Sequence, residues 1–253
     1  MFQTVNFVKK NILSARKPLC YQHSREADLA ETEEKKREKR GWRQNPDAVK
    51  RDILSVAIEE FAAHGLSGAR IHSIAAKTRT SKRMIYYYFG DKKGLYVRAL
   101  EEAYSEVRAG ETELDLGQLT PRDALARLVS FTFDHHRSHP EFIRMVMIEN
   151  IHQAENLTGS EVIRRLNLSA IKKLEDICRR GEAEGVFRKG LDPVALHWQI
   201  SAASFFNVSN RPTFSAIFGE DLFSDDAQIK IRSQVVDAIL HLVEPRPKPG
   251  EES

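Results

Sequence analysis

The sequence is poor in cysteine and has no long hydrophobic run, and each absence excludes a class of protein. Its two cysteines, Cys20 and Cys178, lie far apart and form no CxxC pair. We therefore expect no disulfide and a reducing, cytoplasmic setting. No apolar segment approaches the roughly 18 residues that a helix needs to span a bilayer. No N-terminal apolar stretch is long enough for a secretion signal. Neither a membrane protein nor a secreted, disulfide-rich domain is expected.

Motifs for catalysis are equally scarce. His135 and His139 are one helical turn apart and could share a metal, but Pro140 breaks the helix directly after His139. The sequence contains no HExxH motif. We therefore expect structural or pocket histidines, no catalytic residues, no metal and no cofactor. A metal-dependent hydrolase remains the rival interpretation, which a metal analysis of the purified protein would test.

Positive charge is concentrated in one short segment of an otherwise balanced chain. The whole sequence has a net charge of +3, yet between Ala69 and Arg98 eight basic residues stand against a single acidic one, Asp91. A dense basic patch of this kind indicates a polyanion such as nucleic acid as a partner, although a solvated surface has the same composition. Charge alone leaves the two interpretations open.

Hydrophobic periodicity predicts an all-α fold with two helical domains between polar tails. Apolar residues recur at helical spacing from Pro46 onwards, and no segment shows the alternation of a strand. We predict a basic tail at 1–44, a small helical domain at 45–110, a larger helical bundle at 111–244 and a tail at 245–253. For the first tail a solvated linker is favoured over an arm that reaches along DNA.

Capping residues mark where the helices start. Ser81 and Asp91 are typical N-caps, and Asn45-Pro46, Thr120-Pro121 and Asp192-Pro193 add a proline at the first helical position. Gly65 is expected to end the first helix through a left-handed conformation. The predicted helices cover about 46–64, 70–77, 82–88, 92–109, 121–138, 140–151, 160–184, 193–206 and 226–243.

Residues 66–104 carry the motif that distinguishes between these interpretations. Ile74-Ala75 ends one short helix, Thr78-Arg79-Thr80-Ser81 forms a turn, and Ile85-Tyr86-Tyr87-Tyr88-Phe89 ends the next helix before Lys92 and Leu95. In this pattern and its spacing the chain resembles the tetracycline-repressor (TetR) family of transcriptional regulators. The resemblance implies a three-helix N-terminal domain with a DNA-binding helix-turn-helix, followed by a helical domain that binds an effector and dimerises.

The resemblance and the chemistry of the side chains together predict the DNA-contacting residues. The second helix of the motif fits the major groove, where Lys82 and Arg83 reach guanine edges or phosphates. Lys92 opposes the helix dipole unless a phosphate docks at that helix N-terminus. Core packing is the alternative for Phe89 and in part for Tyr86. The full predicted set is Thr80, Ser81, Lys82, Arg83, Tyr86, Tyr87, Tyr88 and Lys92.

Two positions depart from the family pattern. Arg79 stands where the family usually has glycine, so some backbone strain or a different turn is expected there. Ala69 and Arg70 replace the Thr or Ser that usually caps the first helix of the motif. Both departures concern the tilt of the DNA-reading helix and not its existence.

The larger domain has more helices than dimerisation requires, and its inward faces mix apolar residues with a few polar ones. This mixture predicts a pocket for a small aromatic or acidic metabolite. The segments HPEFIRMVMIENIHQAENL and FFNVSNRPTFSAIFG also resemble regulators of this family that are associated with catabolic gene clusters. Asn150 and His135 would be its polar groups, with solvent exposure as the alternative for Asn150. The predicted effector site consists of Phe131, His135, Ile143, Met147, Asn150 and Phe205.

One predicted helix, Asp192 to Phe206, is apolar on nearly all sides and so must be covered on several sides. Val194, Trp198, Ala202 and Phe205 form one apolar stripe, and other apolar residues lie elsewhere around the helix, so one side is expected to pack on its own core and another on a second copy. Together with the closing helix it is expected to form a four-helix bundle with a second copy. The predicted dimer contacts are Trp198, Ala202, Val235 and Ile239. The expected function is a homodimeric, ligand-released repressor of a palindromic operator. A ligand-independent architectural DNA binder is the rival interpretation, and activation in place of repression stays open.

Overall fold

The computed structural model describes residues 45–245, and within this range every regular element is helical. Two short 3-10 turns lie at Leu116–Gln118 and Asp221–Phe223. The α-helices of this range are α1 (Pro46–Gly68), α2 (Ile71–Lys77), α3 (Lys82–Phe89), α4 (Lys92–Thr112), α5 (Pro121–Ser138), α6 (Pro140–Ile151), α7 (Glu161–Ala183), α8 (Pro193–Ser209), α9 (Arg211–Phe218) and α10 (Asp225–Val243). The all-α prediction is confirmed. The tail at 1–44 and residues 246–253 lie outside the described residues.

Side-chain caps start the helices where the sequence predicted them. The Ser81 hydroxyl accepts a hydrogen bond from the Met84 N–H at 3.3 Å, and the Asp91 carboxylate accepts one from the Gly94 N–H at 2.7 Å. The same capping starts three later helices, at Thr120, Ser160 and Asp192. A cap satisfies N–H groups that have no partner inside the helix, so a few local residues fix where each helix begins.

Three helix limits differ from the predictions. Gly65 has a φ of 66° and kinks α1, but helical hydrogen bonding resumes and the helix ends at Gly68. Helix α4 continues through Gly110, where a Cβ atom would stand 2.6 Å from the Phe131 ring. That glycine therefore permits close packing, and the predicted domain boundary falls inside a helix. Helix α9 was not predicted, because eight residues that begin at Arg211-Pro212 are too few for a periodic signal.

Helices α1 to α4 share a small core. Ile53 and Phe61 on α1, Ile74 on α2 and Ile85 on α3 are completely buried. The predicted inward repeat of α1 is thereby confirmed. The ring of Tyr96, on α4, meets Phe61 edge to face at a centroid distance of 4.9 Å. This packing holds α3 against a rigid support and leaves its opposite face open.

A second core joins α5, α7, α8 and α10. It contains Leu125, Val129, Leu174, Ile200 and Leu240. Cys178 lies in the same cluster, and burial raises the pKa of its thiol to about 11. Within residues 45–245 no helix has the length and apolarity needed to cross a membrane.

Candidate functional site

Helix α3 presents a polar and aromatic surface to solvent. Ile85 is its buried anchor, while Lys82 and Arg83 at its N-terminus are exposed. Tyr87 is 76% exposed and Tyr86 46% exposed, so neither ring belongs to the core. The core alternative for Tyr86 is therefore wrong, and the amphipathic helix has most of its surface free for a ligand.

The third tyrosine of the run is placed differently. Tyr88 is half-buried, and the Lys50 ammonium lies over its ring at 5.7 Å. Its ring also meets the ring of Tyr87 at a centroid distance of 5.3 Å. Phe89 is half-buried as well, which supports only part of its expected core role. Tyr88 thus packs against the exposed ring of Tyr87.

The basic patch divides into paired and unpaired cations. Lys93 and Arg98 reach Glu155 and Glu101 at 3.4 and 2.6 Å. In the described part of the chain, no carboxylate lies within 4 Å of Lys82 or Arg83, and both side chains are exposed. The two cations at the N-terminus of α3 are therefore without an ion-pair partner in the described residues, at the place where a major-groove ligand would meet them.

The two departures from the family pattern have simple structural explanations. Arg79 is not among the positive-φ residues of range 45–245, and its N–H donates to Asp52 at 3.4 Å, so the expected strain is absent. The Arg70 N–H, which lacks a local cap, donates to the buried Glu60 carboxylate at 3.1 Å. Glu60 of α1 thus does for α2 what a local Ser or Thr does elsewhere, and sequence reasoning missed it because the contact spans ten residues.

Lys92 already has an internal hydrogen bond. Its ammonium donates to the Ser67 carbonyl at 3.0 Å, and Asp91 occupies the Gly94 N–H at the start of α4. One of the N–H groups expected to hold a phosphate is therefore already bonded to a carboxylate. A lysine ammonium has three donors, so Lys92 can bond to a phosphate as well as to Ser67. The phosphate contact of the Lys92 side chain stays a prediction.

Gly94 allows α4 to approach the end of α3. A Cβ atom at this position would stand 2.2 Å from the Phe89 carbonyl oxygen, which is backbone and has little room to move. We expect Gly94→Ala to lower the free energy of unfolding by about 1–3 kcal/mol through overpacking, measured by urea denaturation. The control is Gly159→Ala, because a Cβ there meets nothing within 4 Å. Equal stability of the two variants would contradict this close approach.

The predicted effector residues are not brought to one place. Ile143 and Met147 line a cavity of about 680 Å³ between α6 and α9, whereas Phe205 lines a separate cavity of about 160 Å³. Phe131 and His135 pack on each other at a ring distance of 5.6 Å. Asn150 is exposed, so its predicted pocket role is wrong and the solvent alternative holds.

The inward polar residue of α6 is the neighbour of Asn150. Glu149 is completely buried, and its carboxylate accepts from the Tyr96 hydroxyl at 2.8 Å and from the Asn156 side chain at 3.0 Å. Burial beside Glu149 raises the pKa of Tyr96, which keeps the hydroxyl protonated. Because Tyr96 also contacts Phe61, this hydrogen bond connects the helix-turn-helix packing to α6.

The smaller cavity lies between five helices, and several polar side chains line it. Arg108 and Glu111 of α4 form an ion pair in its wall, and a second guanidinium nitrogen of Arg108 donates to Asn167 of α7 at 3.0 Å. His136 of α5 and His197 of α8 lie opposite. Sequence reasoning missed this group, since only the fold brings these distant residues together.

The histidines of α5 are held neutral. Burial, with His139 and Arg108 nearby, lowers the pKa of His135 to about 4. Burial, with His135 and Arg108 nearby, lowers the pKa of His136 to about 3. The rings of His135 and His139 stack at 4.1 Å, face to face, which does not direct their nitrogens at a common metal.

An exposed apolar stripe runs along α8. Val194, Trp198, Ala202 and Phe206 follow at intervals of four residues, and Trp198 is 70% exposed. Phe206 takes the place predicted for Phe205, because a spacing of four keeps residues on one face and Phe205 turns inward to the smaller cavity. Further exposed apolar residues follow at Ile217, Phe218, Leu222 and Ile229.

The predicted dimer contacts on α10 lie elsewhere than expected. Ile239 is only 6% exposed and belongs to the core of its own chain, and Val235 packs half-buried against that core. Ile239 therefore presents little surface to a second copy, and Val235 presents only part of its side chain. Trp198 and Ala202 are exposed as the prediction requires.

Two family descriptions match the chain over these same regions. Residues 53–99 match the bacterial regulatory proteins of the tetR family, and residues 121–239 match the tetracyclin repressor-like C-terminal domain. The first match contains the helix-turn-helix from α2 to α3. The second contains the wall of the larger cavity and the apolar stripe of α8, whereas the α4 residues in the wall of the smaller cavity precede it.

The chain is also similar to individual transcriptional regulators. The HTH-type transcriptional repressor NicS of Pseudomonas putida is 34% identical over 185 residues, which cover 73% of this chain and 87% of NicS. The regulator RutR of Escherichia coli is 24% identical over 69% of this chain and 81% of its own. A tetR-family regulatory protein from Rhodococcus RHA1 shares the fold, with 21% identity, a TM-score of 0.62 and coverage of 79% and 98% of the two chains. The chain therefore belongs to the TetR family of DNA-binding transcriptional regulators.

Proposed function

We propose that this regulator is a repressor that binds a palindromic operator as a homodimer and is released by a small molecule. The observation that supports this most directly is the exposed N-terminus of α3, where Lys82 and Arg83 have no carboxylate partner within the described residues. Repression, in place of activation, is supported by the name of the relative NicS. Because its operator is genomic DNA, we infer that it acts in the cytoplasm.

The dimer proposal rests on the apolar stripe of α8. A large exposed aromatic such as Trp198 on a monomer is costly, and contiguous apolar surface of this kind marks an interface. A second copy is the occupant that fits, because two-fold symmetry presents the same stripe twice. Two α3 helices about 34 Å apart would then read successive major grooves on one side of the DNA.

The effector proposal places the ligand in the smaller cavity. Tyr104, Arg108 and Glu111 in its wall belong to α4, which begins directly after the DNA-reading helix. The larger cavity has no α4 residue in its wall, and its Arg137 and Arg211 are paired with acidic residues. A ligand in the smaller cavity therefore acts on the helix that carries the DNA-binding module.

Release of the operator requires that the ligand binds the protein more tightly in one position of α4 than in the other. A ligand seated between Arg108 and α5 favours the arrangement that accommodates it, and the Tyr96 to Glu149 hydrogen bond transmits any shift of α6 to the helix-turn-helix. A thousandfold loss of operator affinity requires about 4 kcal/mol of coupling. By reciprocity, operator DNA weakens ligand binding by the same factor.

The proposal is tested with the full chain and the DNA upstream of its own gene. We expect a footprint with two-fold symmetry, two chains per site by sedimentation, and affinity that falls steeply with salt as phosphate contacts release counterions. Scrambled DNA of equal length is the control at each salt concentration. A single chain per site, or equal affinity for scrambled DNA, would contradict the proposal.

A further inference from the structure

We infer that the smaller cavity binds an organic monocarboxylate with a single six-membered ring, held between Arg108 and His136. This inference rests on the proposed effector function of the same cavity and names the chemical class of the ligand.

The size and the walls of the cavity select one ring. Its volume is about 160 Å³, and an apolar cavity of about 150 Å³ in another protein holds benzene. Phe142, Phe205, Val107 and Val146 contribute apolar and aromatic surface to the walls. Two fused rings or a long acyl chain would exceed this volume unless the helices separate.

Two residues of the wall each have a polar atom that is buried and lacks a hydrogen-bond partner. Neither atom has appreciable accessible surface, so a ligand oxygen reaches it only when neighbouring side chains shift. In the part of the chain that the structure describes, neither Nε of Arg108 nor Nδ1 of His136 has a hydrogen-bond partner. The other two guanidinium nitrogens are held by Glu111 and Asn167, so the side chain cannot swing away to find an acceptor. A buried donor without a partner is destabilising, and a ligand that accepts from Nε relieves that cost.

A carboxylate is the acceptor that suits both atoms. An arginine Nε–H only donates, and a neutral imidazole donates from the nitrogen that carries its proton. The two carboxylate oxygens can accept from both, and the bond from the guanidinium is charge-assisted. Burial, with His135 and Arg108 nearby, holds the pKa of His136 low, so its ring is neutral and the guanidinium of Arg108 supplies the positive charge at this end of the cavity. A positive potential favours an anion over a neutral amide.

The smaller cavity suits a ligand with no more than one negative charge. Arg108 is the sole lysine or arginine among the described wall residues, and Glu111 already shares its charge. A dianion or a phosphate monoester would meet Glu111 with no further cation to offset the repulsion. The polar groups that remain around the ring, such as Ser201 and Thr132, suit a ring hydroxyl or a ring nitrogen.

The experiment uses isothermal titration calorimetry on the full-length protein. The probes are benzoate, the three monohydroxybenzoates and the three pyridine carboxylates, each compared with its primary amide. We expect at least one carboxylate to bind, with its amide at least tenfold weaker. Arg108→Gln removes a charge-assisted hydrogen bond and should weaken that carboxylate about 10- to 100-fold. Arg144→Gln, at an exposed arginine of the larger cavity, should leave its affinity unchanged.

A second variant covers the case in which Arg108→Gln does not fold. Phe205→Trp fills the cavity and should abolish binding of the carboxylate while melting cooperatively. Binding of the amides or of none of the probes, or a weakened Arg144→Gln, would overturn the inference. Operator binding by the unliganded wild-type protein is measured separately. If it persists and another compound releases the DNA, the proposed function stands without the carboxylate, whereas its absence contradicts the proposed function itself.

Discussion

Replacing Lys82 and Arg83 together by alanine is expected to reduce operator affinity at least about thirtyfold. Each side chain in contact with a base edge contributes about 1–3 kcal/mol, so the two together contribute about 2–6 kcal/mol per chain. Both are exposed and lack a carboxylate partner within residues 45–245, so the fold has little to lose. Gel shifts at several salt concentrations measure the loss, and urea denaturation checks that stability is unchanged.

The matched control removes two cations elsewhere. Lys172 and Lys189 are exposed and lie outside the basic patch, so their double alanine variant has the same net charge as the first. We expect it to bind the operator within about twofold of wild type, because distant charges are screened at about 8 Å in physiological salt. If the Lys82, Arg83 variant behaves like this control, α3 is not the DNA-reading helix.

The salt series separates the two kinds of contact. Loss of a phosphate contact lowers the slope of log affinity against log salt by about 1 and weakens all sequences alike. Loss of a base contact leaves the slope in place and relaxes the preference at one position of the operator. Single substitutions of Lys82 and Arg83 therefore assign each residue to the DNA backbone or to a base.

Features encoded by neighbouring residues could be predicted from the sequence, and this explains why the DNA-binding module was read correctly. Ser81 and Asp91 cap their helices through bonds to residues three positions away. The buried anchors of α1 follow from a repeat of four residues. Helix α2 lacks a local cap, and the Glu60 carboxylate accepts a hydrogen bond from the Arg70 N–H in its place. The sequence could not reveal this contact, because the two residues are ten positions apart.

The cavity proposed to bind an effector was harder to predict because distant segments build it. Helix α6 is apolar on several sides, so the pattern could not decide whether Glu149 or Asn150 points inward, and the structure buries Glu149 with two hydrogen-bond partners. Arg108 reads as a surface residue of an amphipathic helix until Asn167 and His197 are brought against it. The same ambiguity placed Ile239 at the dimer surface, although α10 turns it into the core.

Replacing Trp198 by aspartate is expected to convert the protein to a monomer at micromolar concentration. A buried interface tryptophan contributes about 2–4 kcal/mol, and a two-fold interface contains it twice, so dimer dissociation should rise by at least about a thousandfold. Trp198 is 70% exposed in the single chain, and the substitution therefore has little effect on folding of the protomer. Sedimentation equilibrium measures the change in association.

The consequence for DNA binding distinguishes this variant from a defect in the recognition helix. Helix α3 is intact in Trp198→Asp, so operator binding should be lost at low protein concentration and return as concentration approaches the weakened dimer constant, by mass action. The control is Ile151→Asp, a residue of matched exposure at 73% at the end of α6, which should remain dimeric. A Trp198→Asp protein that stays dimeric would place the interface away from the α8 stripe. If the wild-type protein is a monomer and still binds its operator specifically, the dimer proposal is wrong, and the operator need not be a palindrome.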